Sequence, residues 1–239
     1  MSMPICNTAD IRRIEKAAGD APLMARAGAA AAEHAVKIVG DKAKDVLVLA
    51  GPGNNGGDAR IVAERLKEEF FRVTVATRMD EIPEKRWGLL VDGLFGIGLA
   101  RDIEGDYARM VEYANGQSCP VLALDIPSGI ESDTGRVMGC AVRATHTITF
   151  IALKPGLLTL DGPDHCGEVT VAPLDLKVED PRAWVAGPEM FRGVLKPRRK
   201  NFHKGNAGSL GILVSRASEW LMPRTDEGLT LIAEAVKPH

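Results

Sequence analysis

The sequence predicts an α/β protein whose mostly parallel sheet is covered by helices on both faces. Three observations carry the prediction. Short apolar runs of strand length alternate with segments of helical period, the pattern of strand–helix–strand units. Residues 46 to 50 are apolar throughout, as expected of a parallel strand buried on both faces. Glycine-rich or polar stretches follow the ends of these runs, along the carboxyl edge where open parallel sheets bind ligands.

Taken in order, Thr8 to Gly19 reads as a helix with Ile11, Ile14, Ala17 and Ala18 on one face and Gly19 as its stop. A second helix spans about Pro22 to Val39, with Leu23, Ala27, Ala30, Ala31, Ala35 and Ile38 on its apolar side. His34 beside that stripe reads as a packing residue. The strand Asp45 to Ala50 enters Gly51-Pro-Gly-Asn-Asn-Gly-Gly-Asp58, and Ile61, Val62 and Leu66 mark the helix that follows. In this reading Asp58 is the helix N-cap, and Gly51, Gly53, Gly56 and Gly57 permit positive φ and close approach of a ligand. Backbone N–H groups at such a turn attract phosphate oxygens.

Arg72 to Thr77 is the next strand, completing a right-handed βαβ unit. Leu89 to Val91 is a third strand, ending at Asp92. A second glycine-rich loop, Gly93 to Asp102, follows it. Tyr107 to Ala114 fits a helix. Pro120 to Leu124 is a fourth strand ending at Asp125, with Ile126 to Gly129 as a turn. His146 to Ala152 is a fifth strand running into Lys154-Pro-Gly, and Gly167 to Ala172 a shorter sixth. Asp133-Thr-Gly135 and Asp161-Gly162 read as turns without chemistry.

The totals narrow the class. The chain has 239 residues, 45% of them hydrophobic and 26% charged, enough for one α/β domain with a tail. A formal net charge of −2 argues against a general nucleic-acid binder. The basic run Lys196 to Lys200 reads as a solvated linker. Cys6, Cys119, Cys140 and Cys166 are too widely spaced for a metal finger and fit reduced thiols, which with the lack of a signal sequence or membrane span places the expectation in the cytoplasm.

The glycine spacing of Gly51, Gly53 and Gly56 meets a dinucleotide fingerprint, and Asp80 keeps a dehydrogenase reading open. The absence of Gly-Lys-Ser/Thr argues against a P-loop. The two carboxamides Asn54 and Asn55 fit neither motif. Asn55, Asp92, Asp125 and Ser128 make a set of hard oxygen donors without His or Cys, suited to an alkali or alkaline-earth cation. Residue types alone leave potassium, calcium and magnesium open. Asp125 could equally move protons in a partly dry crevice. Lys154 is either a surface lysine or a cation facing ligand phosphate.

These stretches resemble a known family. Gly51 to Asp58, Val91-Asp-Gly-Leu-Phe-Gly-Ile-Gly98, Leu124-Asp-Ile-Pro-Ser-Gly129, Asp133-Thr-Gly135, Thr149-Phe with Lys154-Pro-Gly156, and Leu23-Met24 with Ala27-Gly28 are similar, in order, to the YjeF N-terminal domain family. The resemblance implies a three-layer, Rossmann-like α/β/α sandwich and NAD(P)H-hydrate epimerase activity. That activity interconverts the R and S forms of NADH or NADPH hydrated at carbon 6 of the nicotinamide, for a partner ADP- or ATP-dependent dehydratase to restore. It also implies a homodimer and a potassium ion held by Asn55, Asp92 and Ser128. Asn54, Asn55, Gly56, Gly57 and Asp58 would bind the substrate, with Gly96, Ile97, Gly98, Leu99, Ala100, Arg101 and Asp102 wrapping it, Lys154 beside it, and Asp125 facing the reacting ring as catalytic acid then base. Two positions depart from the family's pattern. Ala59 stands where glycine is usual, and Ala25 where an acidic residue is common.

The resemblance covers roughly residues 8 to 175, so the expected domains are 1–190 for the epimerase and 191–239 for a tail. Lys196 to Val214, with the run from Asn201 to Val214, is similar to the opening of the ADP-dependent dehydratase domain, and the tail is expected to lack dehydratase activity. The alternative is a non-catalytic ligand-binding or scaffold module of the same fold, as some relatives serve in messenger RNA decapping. Neither nucleic acid nor membrane is an expected partner of this chain.

Overall fold

The computed structural model describes residues 3–187, together with 211–212 and 233–234. The chain divides into two compact units, Met1–Val185 and Ala186–His239. Of the second unit, Gly211–Ile212 pairs antiparallel with Ala233–Glu234. The rest of the expected tail, 191–239, including most of the stretch similar to a dehydratase opening, lies outside the described residues.

The first unit begins with β1 (Pro4–Ile5), α1 (Thr8–Ala17) and α2 (Leu23–Val39). There follow β2 (Asp45–Ala50), α3 (Asn54–Glu68), β3 (Arg72–Ala76), β4 (Leu89–Gly93), α4 (Gly105–Asn115), β5 (Val121–Leu124), β6 (His146–Phe150), α5 (Gly162–Cys166), β7 (Glu168–Ala172) and β8 (Ala183–Trp184). The sheet has six strands in the order β3-β2-β4-β5-β6-β7, every neighbouring pair parallel. The expected fold class holds.

Alternation along β2 shows how the sheet forms three layers. Val46, Val48 and Ala50 face the core shared with Ala31 and Ala35 of α2 and Val62 and Leu66 of α3. Leu47 and Leu49 face the opposite core, with Met110, Val111 and Ala114 of α4. The alanines of α2 serve close packing against α3: a Cβ on Gly28 would lie 2.4 Å from the Ile61 side chain. His34 packs edge-on to His146, ring centroids 6.2 Å apart, in keeping with a packing role.

Several element ends differ from expectation. Helix α1 closes at Ala17, with Gly19 beyond it at φ +58°. Strand β6 stops at Phe150 rather than Ala152, because Ile151 takes a left-handed φ of +69° and turns the chain. The expected turn at Asp133 also holds two parts of the fold together. Its carboxylate accepts the Thr8 N–H at 2.7 Å and the Thr8 hydroxyl at 2.9 Å, fastening the start of α1 to the carboxyl edge of the sheet. The two-stranded β1–β8 ribbon had no counterpart in the sequence reading.

Candidate functional site

From β2 the chain goes outward to β3 and then crosses back to β4 on the other side of β2. The loops leaving β2 and β4 therefore part in opposite directions, and the gap they leave at the carboxyl edge is where such sheets take ligands. A cavity of about 600 Å³ lies there. Its walls are the start of α3 (Pro52 to Asn55, with Asp58), the loop Leu94 to Leu99, Asp125, Phe150 to Ile151 with Lys154, and, from the N-terminal helices, Arg12, Glu15, Leu23 and Met24.

The glycine-rich loop is a helix start, not a left-handed turn. Helix α3 begins at Asn54 with Gly53 as its N-cap, so Asp58 is buried in the second turn and is not the cap the sequence suggested. None of Gly51, Gly53, Gly56 and Gly57 has positive φ. What two of them supply is space. A Cβ on Gly51 would sit 1.8 Å from the Leu94 carbonyl oxygen, and one on Gly56 1.9 Å from the Gly51 carbonyl oxygen. The helix can then start directly under the strand end, its first N–H groups turned toward the cavity edge. Ala59, where the family pattern has glycine, is fully buried within this helix and packs on Gly93, a position where alanine favours the helix.

Beneath the cavity floor, Asp92 and Ser128 hold each other. The Ser128 hydroxyl donates to Asp92 Oδ1 at 2.6 Å, and the Ser128 N–H donates to Oδ2 at 2.8 Å. The same hydroxyl accepts the Phe95 N–H at 2.9 Å and lies 3.1 Å from the Phe95 carbonyl oxygen. Burial pushes the Asp92 carboxyl up to about 6, against the hydrogen bonds from Ser128 and Leu94 that pull it down. Asn55 stands close by, its side chain against Gly96 and its Nδ2 buried without a partner among the described residues. Among those residues no cluster of three or more His, Cys, Asp or Glu forms a metal site. The oxygens gathered here are instead carboxylate, hydroxyl, carbonyl and carboxamide, hard donors that fit a weakly charged cation better than zinc.

Asp125 follows β5 at a left-handed φ of +67°, which a short polar side chain tolerates and which aims it across β6. Its Oδ1 accepts the Phe150 N–H at 3.2 Å and an ion-paired hydrogen bond from Lys154. Lys154 is 0% exposed and directs its other two N–H groups to Thr149 Oγ1 and the Phe150 carbonyl oxygen, each at 2.8 Å. It is therefore neither the surface lysine nor the phosphate-facing cation of the two sequence readings. The turn at Ile151 folds it back so that the ammonium serves Asp125.

Three carboxyls border the cavity. Asp58 is pushed up to about 7 by burial first, then by the charges of Asp125 and Glu15. Glu15 is raised by burial and by Asp125, with Lys154 and Arg12 opposing. The Asp58 carboxyl makes no hydrogen bond or ion pair among the described residues. Asp125, by contrast, has a buried ammonium as partner.

The structure brings Asn54, Asn55, Asp58, Gly96, Ile97, Gly98, Leu99, Asp125 and Lys154 to the cavity. It places Gly56 and Gly57 behind the wall, against Gly51 and Met24, and Asp92 and Ser128 beneath the floor. Ala100, Arg101 and Asp102 are exposed and do not line the cavity, and Asp102 packs toward the Gly139 turn. Arg12 and Glu15 were missed. They lie three apart, on the edge of the apolar face of α1, and nothing local marks that edge as facing a ligand.

Comparison with known proteins identifies the family of this chain. A family model described as "YjeF-related protein N-terminus" matches residues 20–87 and 77–156. The bifunctional NAD(P)H-hydrate repair enzyme Nnr of Escherichia coli (strain K12) is 35% identical over 85% of this chain and 46% of its own length. The enzyme of the same name from Thermofilum pendens is 36% identical over 78% of this chain and 42% of its own. This chain thus spans less than half of those relatives. The NAD(P)H-hydrate epimerase of Limosilactobacillus reuteri is 38% identical over 63% of this chain and 82% of its own length. The crystal structure of yeast ynu0 superposes with a TM-score of 0.56 at 21% identity, over 70% of this chain and 86% of that one, a likeness of fold. With its glycine-rich helix start, its Asp92–Ser128 pair and its Asp125 in the order the family motifs require, the chain belongs to the YjeF-related N-terminal domain family.

Proposed function

We propose that this chain is an NAD(P)H-hydrate epimerase, interconverting the R and S forms of NADH or NADPH hydrated at carbon 6 of the nicotinamide. The observation that carries the reading is the cavity at the switch point, where the α3 start, a protonatable carboxyl and an ion-paired carboxylate meet. A cavity of about 600 Å³ suits a ligand the size of a nucleotide. The names of the relatives support the substrate.

The chemistry needs a proton delivered to a hydroxyl and another removed from water. When the carbon 6 hydroxyl is protonated, the ring nitrogen lone pair expels it as water and leaves a planar iminium carbon. Water then adds to the opposite face and gives up a proton, which restores the hydrate with inverted configuration. The sequence alone assigned both proton transfers to Asp125. In this proposal Asp125, ion-paired with the buried Lys154, is the base, and Asp58, whose carboxyl is pushed up to about 7, supplies the first proton.

A potassium ion belongs to this proposal. Asp92, the Ser128 hydroxyl, the Phe95 carbonyl and the Asn55 carboxamide oxygen would hold it, a set of oxygen donors without nitrogen or sulfur. When bound, such an ion neutralises charge and fixes the loop that carries the ligand. The finer setting is also proposed: a cytoplasmic homodimer working with an ADP- or ATP-dependent dehydratase, with no nucleic acid or membrane partner. Four free cysteines support a reducing compartment. No helix among the described residues is long and apolar enough to cross a membrane. The exposed Met24 at the start of the alanine-rich α2 is a candidate dimer contact.

The test is to supply the R epimer of NADPH hydrate and follow the S epimer by chromatography, in potassium against sodium. Conversion that is faster in potassium and lost in Asp125→Asn supports the reading. Tight ligand binding without conversion favours the scaffold module instead.

A further inference from the structure

The cavity is short of positive charge for a dinucleotide. Glu15, Asp58 and Asp125 border it, and the three N–H groups of Lys154 are taken up by Asp125, Thr149 and Phe150. Arg12 is the remaining cation in its lining. Among the described residues its guanidinium makes no hydrogen bond or salt bridge. Its position is defined by the ligand-side loop: Nη2 lies 3.9 Å from where a Cβ on Gly98 would be, while Asn55 Cγ lies 3.3 Å from the corresponding point on Gly96. Two residues of extended chain span at most ~7 Å. Arg12 and the first turn of α3 therefore both border the short segment Gly96 to Gly98, at points no more than two residues apart along it. The bonds from Thr8 to Asp133 keep the start of α1 in place.

We propose that Arg12 binds a phosphate of the dinucleotide, clamping it against the Gly96 to Gly98 loop and the start of α3. The role rests on the epimerase reading for its substrate, and it makes α1 part of the binding site. A guanidinium grips phosphate oxygens in bidentate fashion, which an ammonium cannot reproduce. The pyrophosphate and the 2′-phosphate of NADPH share this chemistry and are separated by comparing the two hydrates.

The experiment takes the full chain with Arg12→Gln and Arg12→Lys, and measures kcat and KM for the hydrates of NADH and NADPH, along with thermal midpoints. Arg12→Gln is expected to raise KM by about tenfold or more, to leave kcat within about twofold, and to leave the midpoint unchanged, because Arg12 is exposed and holds no partner among the described residues. Arg12→Lys recovers only part of the loss. A rise for both hydrates assigns the pyrophosphate, and a rise for NADPH hydrate alone assigns the 2′-phosphate. An unchanged KM for both overturns the inference. A calorimetric titration with NADP⁺ keeps the test separate from turnover. If wild type binds NADP⁺ but epimerises nothing, the proposed activity fails, while weaker binding by Arg12→Gln still supports the clamp. Equal affinities, including no binding by either protein, overturn it.

Discussion

Replacing Asp125 by asparagine removes one charge from a pair whose other member is wholly enclosed. Lys154 is 0% exposed and the Asp125 side chain 12%. Asparagine keeps the size, tolerates the left-handed φ of +67°, and still offers an oxygen to the Phe150 N–H. What it cannot do is balance the ammonium. Breaking a buried pair by removing one partner costs about 3–5 kcal/mol. The retained acceptor places this variant at the lower end, about 3 kcal/mol, against a total of ~5–15 kcal/mol for a domain of this kind. That corresponds to a fall in midpoint of roughly 6–12 °C at this size. Activity falls further, by about 10²–10⁴, the usual worth of a proton-transfer group. The double variant Asp125→Asn with Lys154→Met separates the two effects. Methionine fills the lysine's volume without charge, so stability returns to within about 1.5 kcal/mol of wild type while activity stays lost. Urea unfolding followed by circular dichroism measures the first, and the epimer assay the second. A single variant as stable as wild type, or two substitutions whose costs simply add, would refute the pairing.

The Asp58 carboxyl gives a pH signature. It holds a proton in the folded chain up to about 7, whereas the unfolded carboxyl has lost it above about 4. Folding stability attributable to it therefore falls as pH rises from about 4 to about 7, by up to ~1.4 kcal/mol per unit, and levels off above. In Asp58→Asn that decline disappears from urea midpoints taken at pH 5 and pH 8; parallel curves for the two proteins would contradict it. Gly56→Ala drives a methyl into the Gly51 carbonyl oxygen and costs about 1–3 kcal/mol or more, while Gly53→Ala meets nothing within 4 Å and stays near neutral. Equal midpoints for the two variants would show that the loop relaxes freely. Ser128→Ala strips Asp92 of its 2.6 Å hydrogen bond and leaves the Phe95 N–H unpaired, at about 1–3 kcal/mol. In this variant the proposed epimerase reaction is expected to run equally fast in potassium and sodium, and a reaction still faster in potassium would remove Ser128 from the proposed ion site.

The carboxyl edge was legible because strand ends are. The apolar run Val46 to Ala50 stops at Gly51, and those of β4 and β5 stop at Asp92 and Asp125, so three polar stretches could be set on one edge without coordinates. The use made of the glycines was not legible. Whether a glycine serves φ or proximity depends on what passes beside it, and the Leu94 carbonyl beside Gly51 is 43 positions away in the chain. Lys154 was misjudged because the run from His146 looks apolar through Leu153, and nothing local shows that Ile151 turns left-handed and sends the lysine inward. Arg12 and Glu15 escaped for a related reason. They reach the site through the contact of Thr8 with Asp133, a separation of 125 residues.

The proposed reaction is inversion at carbon 6 of a hydrated nicotinamide. It is tested most directly by incubating the chain with potassium and either the pure R or the pure S epimer of NADPH hydrate, sampling both until their composition stops changing. A catalyst must accelerate both directions toward one equilibrium. Both samples are expected to converge on the same ratio well ahead of the protein-free controls. Convergence no faster than in those controls would contradict the claim.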